Sequence, residues 1–138
     1  MAEGRRVQYD GDDKKLYDHI KSKSLHLKKL KKSDIFAIAL MYGKKTGITT
    51  QLGEDAEGRI RKSTIDSSNL RYLMMAVAAD ENKSIDVVAE ENDYFKICEE
   101  YAKTGISLLD DDAFDKNKDI LDEMEEELLR FYDTFIED

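Results

Sequence analysis

The apolar positions of the chain change period along its length, and each period points to a different element. In RRVQYD, Arg5 to Asp10, Val7 and Tyr9 alternate with Arg6 and Gln8, the period-two pattern of a short strand with one face toward the core. Gly11 breaks it. Asp12 or Asp13 then offers a cap for a helix carrying Leu16, Tyr17 and Ile20 on one face. From Lys23 to Lys32, Leu25, Leu27 and Leu30 are interleaved with lysines, which reads as a basic connector anchored by its leucines. Ser33 is placed to cap the next helix, with Asp34 in its first turn. In that helix Ile35, Phe36, Ile38, Ala39, Leu40, Met41 and Tyr42 cover nearly the whole circumference, so it is expected to be buried on most sides, as a dimer core would bury it. Gly43 or Gly47 can end it.

The segment from Ile48 to Ser63 is polar, with Gly53 and Gly58, and reads as a loop or hairpin with Arg59 to Ile65 extended. DSSN, Asp66 to Asn69, precedes a helix with Leu70, Leu73, Met74, Val77 and Ala78 on one stripe. Ile85 to Ala89 makes a short helical turn, and a helix from Asn92 stops at Gly105. An acidic link leads to a last helix, about Lys116 to Ile136, whose stripe of Ile120, Met124, Leu128, Phe131 and Phe135 is widened by Leu121, Leu129, Tyr132 and Ile136. The chain has no proline to interrupt any of these helices. The expectation is a mostly α fold, with a short N-terminal strand and helices packed against a C-terminal helical part. At 138 residues it is expected to be one domain over 1–138, with an N-terminal part at 5–47 and an acidic helical part at 64–138.

Composition narrows the function classes. Charged residues make up 38% of the chain, well above the usual ~25%, and the net charge is −9. That average conceals a division. Residues 1–63 hold 15 Lys and Arg against 9 Asp and Glu, a net +6, and residues 64–138 hold 7 against 22, a net −15. Such asymmetry points either to separate basic and acidic contact surfaces or to two halves that pair within the fold. The longest apolar run, Ile35 to Tyr42, is far short of the ~20 residues of a membrane span, so no membrane partner is expected. A polar N-terminal arm and a lone Cys98 fit the cytoplasm.

Catalytic and metal chemistry find little support in the pattern. His19 and His26 lack further ligands at a metal-binding spacing. Cys98 has only Lys96 as a nearby cation and reads as a buried thiol. DKNKDILDEMEE, from Asp115, mimics a calcium loop but places Ile120 where the loop needs glycine, within an apolar helical stripe. Asp66, Glu99 and Glu100 form no convergent acid pair, and no phosphate-loop spacing is present. The chain is therefore expected to be no enzyme and to hold no cofactor and no metal.

The N-terminal order of alternating strand, capped helix, connector and apolar helix resembles the ribbon-helix-helix proteins. That resemblance implies a homodimer whose paired strands enter the DNA major groove. Arg6 and Gln8 would then face base edges, with Arg5 beside them, while Lys28, Lys29, Lys31, Lys32 and the helix start at Ser33 would meet phosphate. The connector is longer than the tight turn of the simple fold. Taken end to end, SDIFAIALMYGKKTGI, RIRKSTID, LRYLMMAVAADENKSIDVV and ICEEYAKTGISLL resemble a family of small proteins encoded with DNA phosphorothioation systems, which place sulfur in the DNA backbone for host defence. The similarity covers about Tyr9 to Leu109 and is most recognisable at MYG, Met41 to Gly43, and EEYAKTG, Glu99 to Gly105; the last helix lies outside it. It implies an accessory or regulatory protein with DNA and other defence-system proteins as partners. The alternative is a protein-interaction adaptor that uses the acidic C-terminal part and does not touch DNA.

Overall fold

The structure, a computed structural model, describes residues 5–23, 25–114, 125–126 and 129–130. In chain order it has β1 (Val7–Tyr9), α1 (Gly11–Lys21), α2 (Leu25–Lys28), α3 (Lys32–Thr46), β2 (Glu57–Ile60), α4 (Lys62–Asp66), α5 (Leu70–Asn82), a 3-10 turn (Ile85–Ala89) and α6 (Glu91–Ala113). The chain is mostly α, as its periodicity predicts. Most of the expected last helix, Lys116 to Ile136, lies outside the described residues.

The frame is the antiparallel pair α3 and α6, which makes the most extensive contact between elements. Two glycines set how close they come. A β-carbon at Gly43 would lie 1.8 Å from the Tyr101 carbonyl oxygen, and one at Gly105 would lie 1.6 Å from that of Ala39. The backbones therefore touch where they cross. Ile35, Phe36 and Leu40 of α3 and Tyr94, Phe95, Tyr101, Ile106 and Leu109 of α6 fill the core around that crossing. The all-round burial that α3 needs comes from its own chain, and no dimer core is required: Ile35, Phe36, Ala39 and Leu40 are each 0% exposed in the single chain.

Of the two glycines that could end α3, Gly47 does so, with a left-handed φ of 71° that glycine adopts without strain, and Gly43 lies inside the helix. Gly105 does not stop α6, which runs on to Ala113. Ser33 makes no capping bond; it lies inside the first turn, and Asp34 accepts the Lys31 N–H at 2.8 Å instead. Between α3 and α4 the polar segment returns as β2, which pairs antiparallel with β1 in the register Val7↔Ile60, Gln8↔Gly58 and Tyr9↔Glu57. Only Arg59 and Ile60 of the expected extended stretch are strand; Lys62 to Asp66 is helical.

Candidate nucleic-acid interface

The eight residues that the sequence singles out divide into two groups. Gln8 lies in β1 and Arg5 and Arg6 lead directly into it, with Val7 and Tyr9 turned into the core as the alternation predicts. Far along the chain, Glu99 of α6 reaches them. It is 3% exposed, and its two carboxylate oxygens accept Arg5 Nη1 at 2.7 Å and Nη2 at 2.8 Å. The backbone N–H of Gln8 donates to the same carboxylate at 2.6 Å. Arg5 also lies 5.0 Å over the Phe95 ring. Burial pushes the Glu99 carboxyl above its ordinary range, against the opposing pull of the Arg5 guanidinium and the Gln8 N–H.

This arrangement closes β1. One edge pairs with β2, the Gln8 N–H is occupied by Glu99, and the stem of Arg6 lies against Gly58, where a β-carbon would be 2.8 Å from Arg6 Cβ. Tyr9 stacks on Tyr17 with centroids 4.2 Å apart and carries Arg59 at 5.2 Å, and burial raises its hydroxyl pKa to about 12. A two-fold ribbon needs β1 to pair with its copy. In this chain β1 instead pairs antiparallel with β2 of the same chain, and the fork of Arg5 is already engaged by Glu99.

The second group stands apart. Leu27 is 1% exposed and pins the end of α2, and Leu30 donates its N–H to the Leu27 carbonyl at 3.1 Å. That anchored turn holds Lys28, Lys29, Lys31 and Lys32 exposed, four lysines in five residues. None of the four makes an ion pair among the described residues. Many other cations are already paired: Lys44 with Asp80 at 2.8 Å, Lys62 with Glu91 at 3.5 Å, Arg71 with Asp66 at 2.6 Å, and Lys103 with Asp10 at 2.5 Å and Asp13 at 2.9 Å. Two of these pairs, Lys44–Asp80 and Lys62–Glu91, join a cation of the basic half of the sequence to an acid of the acidic half, as Arg5–Glu99 does, so part of the charge asymmetry is neutralised within the fold.

The sequence pattern did not reveal the hub formed by EEYAKTG. Glu99 holds β1, Tyr101 donates to Glu81, Lys103 bridges two buried aspartates, Thr104 meets Thr50 at 2.7 Å, and Gly105 sits at the helix crossing. Burial favours the neutral form of Asp10, but the Lys103 ammonium and the Gly53 N–H outweigh it and lower that carboxyl. At Asp13 burial outweighs Lys103 and raises it. The one available signal was the spacing of four between Glu99 and Lys103, which puts both on one side of a helix. Among the described residues no group of acids, histidines and cysteine could hold a metal ion, and no helix is long and apolar enough to cross a membrane.

A family model described as DNA sulphur modification system-associated protein 4 matches residues 6–135. The match extends past Leu109 and takes in most of the expected last helix, so that segment belongs to the family region and does not lie outside it. No curated protein and no solved structure matches the chain.

Proposed function

Because the chain belongs to the DNA sulphur modification system-associated protein 4 family, we propose that it is a non-catalytic accessory protein of such a system that contacts DNA through the lysine turn between α2 and α3. The observation that carries this is the turn itself, where Lys28, Lys29, Lys31 and Lys32 stand exposed and without ion pairs among the described residues. A backbone contact of this kind needs cations whose charge is free for phosphate, and release of DNA counterions supplies its driving force. Arg5 is no part of this surface, since its fork is already engaged by Glu99. The rest of the molecule is then a scaffold that presents the turn, with other proteins of the same system as further partners.

The test is fluorescence anisotropy of a labelled duplex titrated with the full chain at several salt concentrations. Four lysine–phosphate contacts predict a log–log slope of about −3.6. A slope indistinguishable from zero, or no binding at low salt, sinks the proposal.

A further inference from the structure

We infer that the lysine turn recognises the phosphate backbone of duplex DNA without regard to base sequence, and that its footprint stops short of α1; this rests on the reading of the turn as a DNA contact. Base readout is best served by a side chain that addresses two base atoms in fixed geometry, such as the fork of Arg or the amide of Asn or Gln. From Lys21 to Asp34 the chain holds no Arg, Asn or Gln. Its cations are ammonium groups on flexible stems, which act as point charges. Arg5, which has the fork, gives it to Glu99 at 2.7 and 2.8 Å. The same stretch also lacks Phe, Tyr and Trp, the large rings of a single-strand stacking platform, and has His26 alone among aromatic side chains.

The extent of the turn matches that ligand. Lys28 to Lys32 spans at most ~14 Å of chain. At ~3.4 Å of helix axis per phosphate on each strand, this reaches about four phosphates, one for each lysine. The end of α6 sets the boundary. Asp110 Oδ1 lies 2.7 Å from His19 Nδ1, Phe114 stacks on the His19 ring at 3.7 Å, and Lys23 Nζ lies 5.5 Å from the Phe114 ring. Asp110 is therefore held against the C-terminal end of α1, and Phe114, one turn on, lies beside Lys23. A phosphate that approached Lys21 or Lys23 would come near Asp110, whereas Lys28 to Lys32 are followed in the chain by Asp34, whose carboxylate is tied to the Lys31 N–H at 2.8 Å.

The full chain, its Lys31→Gln/Lys32→Gln variant and its Lys21→Gln/Lys23→Gln variant should be titrated by anisotropy onto three probes of equal length: an A·T-rich duplex, a G·C-rich duplex and a single strand. The expected result is equal affinity for the two duplexes within about twofold and weaker binding of the single strand with a shallower salt slope. The Lys31/Lys32 variant should lose roughly tenfold and about 1.8 of slope, and the Lys21/Lys23 variant should change by less than about twofold. A preference of more than about tenfold for one duplex, which is what a single good base contact can supply, would overturn the inference. So would a single strand bound as tightly as the duplexes, or an equal loss in both variants. Failure of the unaltered chain to bind any probe would instead overturn the DNA-contact reading itself.

Discussion

Replacing Gly105 with alanine puts the α3–α6 crossing to the test. The new β-carbon would stand 1.6 Å from the Ala39 carbonyl oxygen and 2.7 Å from the Gly43 nitrogen, all of it backbone that cannot swing aside. Restoring ordinary contact, which begins at 3.4 Å, requires the helices to part by roughly 1.8 Å, and a gap of even ~0.5–1 Å forfeits a quarter to a half of each dispersion contact along the seam. Overpacking of this kind costs about 1–3 kcal/mol, and the rigid backbone on both sides places this case at the upper end. Helix propensity works in the opposite direction, because alanine is favoured over glycine in a helix interior by about 1 kcal/mol. The two effects thus predict opposite signs. A net loss of about 2 kcal/mol or more is expected, read as a lower urea midpoint by circular dichroism. Gly47→Ala serves as the comparison: it has open space around it, and the positive φ of 71° is its only obstacle, so it should lose about 1 kcal/mol. A Gly105→Ala protein as stable as the unaltered chain would refute the close crossing.

Further outcomes follow from the buried polar groups. Arg5→Ala strands the Glu99 carboxylate at 3% exposure without its main partner and should cost about 3 kcal/mol by urea unfolding, whereas Lys28→Gln at the exposed turn should stay within about 0.5 kcal/mol. Burial raises the folded pKa of Glu99 above its ordinary 4.5, so between those values the folded chain holds the extra proton and stability falls as pH rises. Glu99→Gln should remove that decline; urea midpoints measured from pH 4.5 upward that keep the same slope would argue against it. Asp80 works in the other direction: Lys44 lowers its carboxyl below the ordinary 3.8, so its contribution is present above that value and fades as pH falls below it. Cys98 is 0% exposed, its Sγ lies 3.3 Å from the Met74 carbonyl, and burial pushes its thiol well up. It should therefore resist an aromatic disulfide reagent in the native protein and react promptly in denaturant.

What could be foreseen from the sequence follows the range of the interaction responsible. The alternation of Val7 and Tyr9 and the apolar circumference of α3 are local patterns, and the structure has both. The exposed lysines of the α2–α3 turn were equally legible, because a solvated ammonium needs no partner and the leucines between them supply the anchor. Gly105 was misjudged for a physical reason. Glycine after a periodic run ordinarily ends a helix, yet here it removes a β-carbon so that α3, more than fifty residues earlier, can press against it. The pairing of Arg5 with Glu99 escaped notice in the same way: the partner lies 94 residues downstream, and no spacing rule connects them. The two most recognisable segments of the family resemblance, MYG and EEYAKTG, supply the two crossing glycines and the Glu99 and Lys103 anchors. They record how the scaffold is built, and the candidate interface lies elsewhere.

On the proposed reading DNA is met by the lysine turn and not by β1, and a single comparison of variants separates the two surfaces. Salt slopes for a labelled duplex should be measured for the full chain, for the Lys28→Gln/Lys29→Gln/Lys31→Gln/Lys32→Gln variant and for Gln8→Ala. The expected slope of about −3.6 collapses toward zero in the lysine variant and is unchanged in Gln8→Ala. Full binding by the lysine variant, with loss in Gln8→Ala, would contradict it.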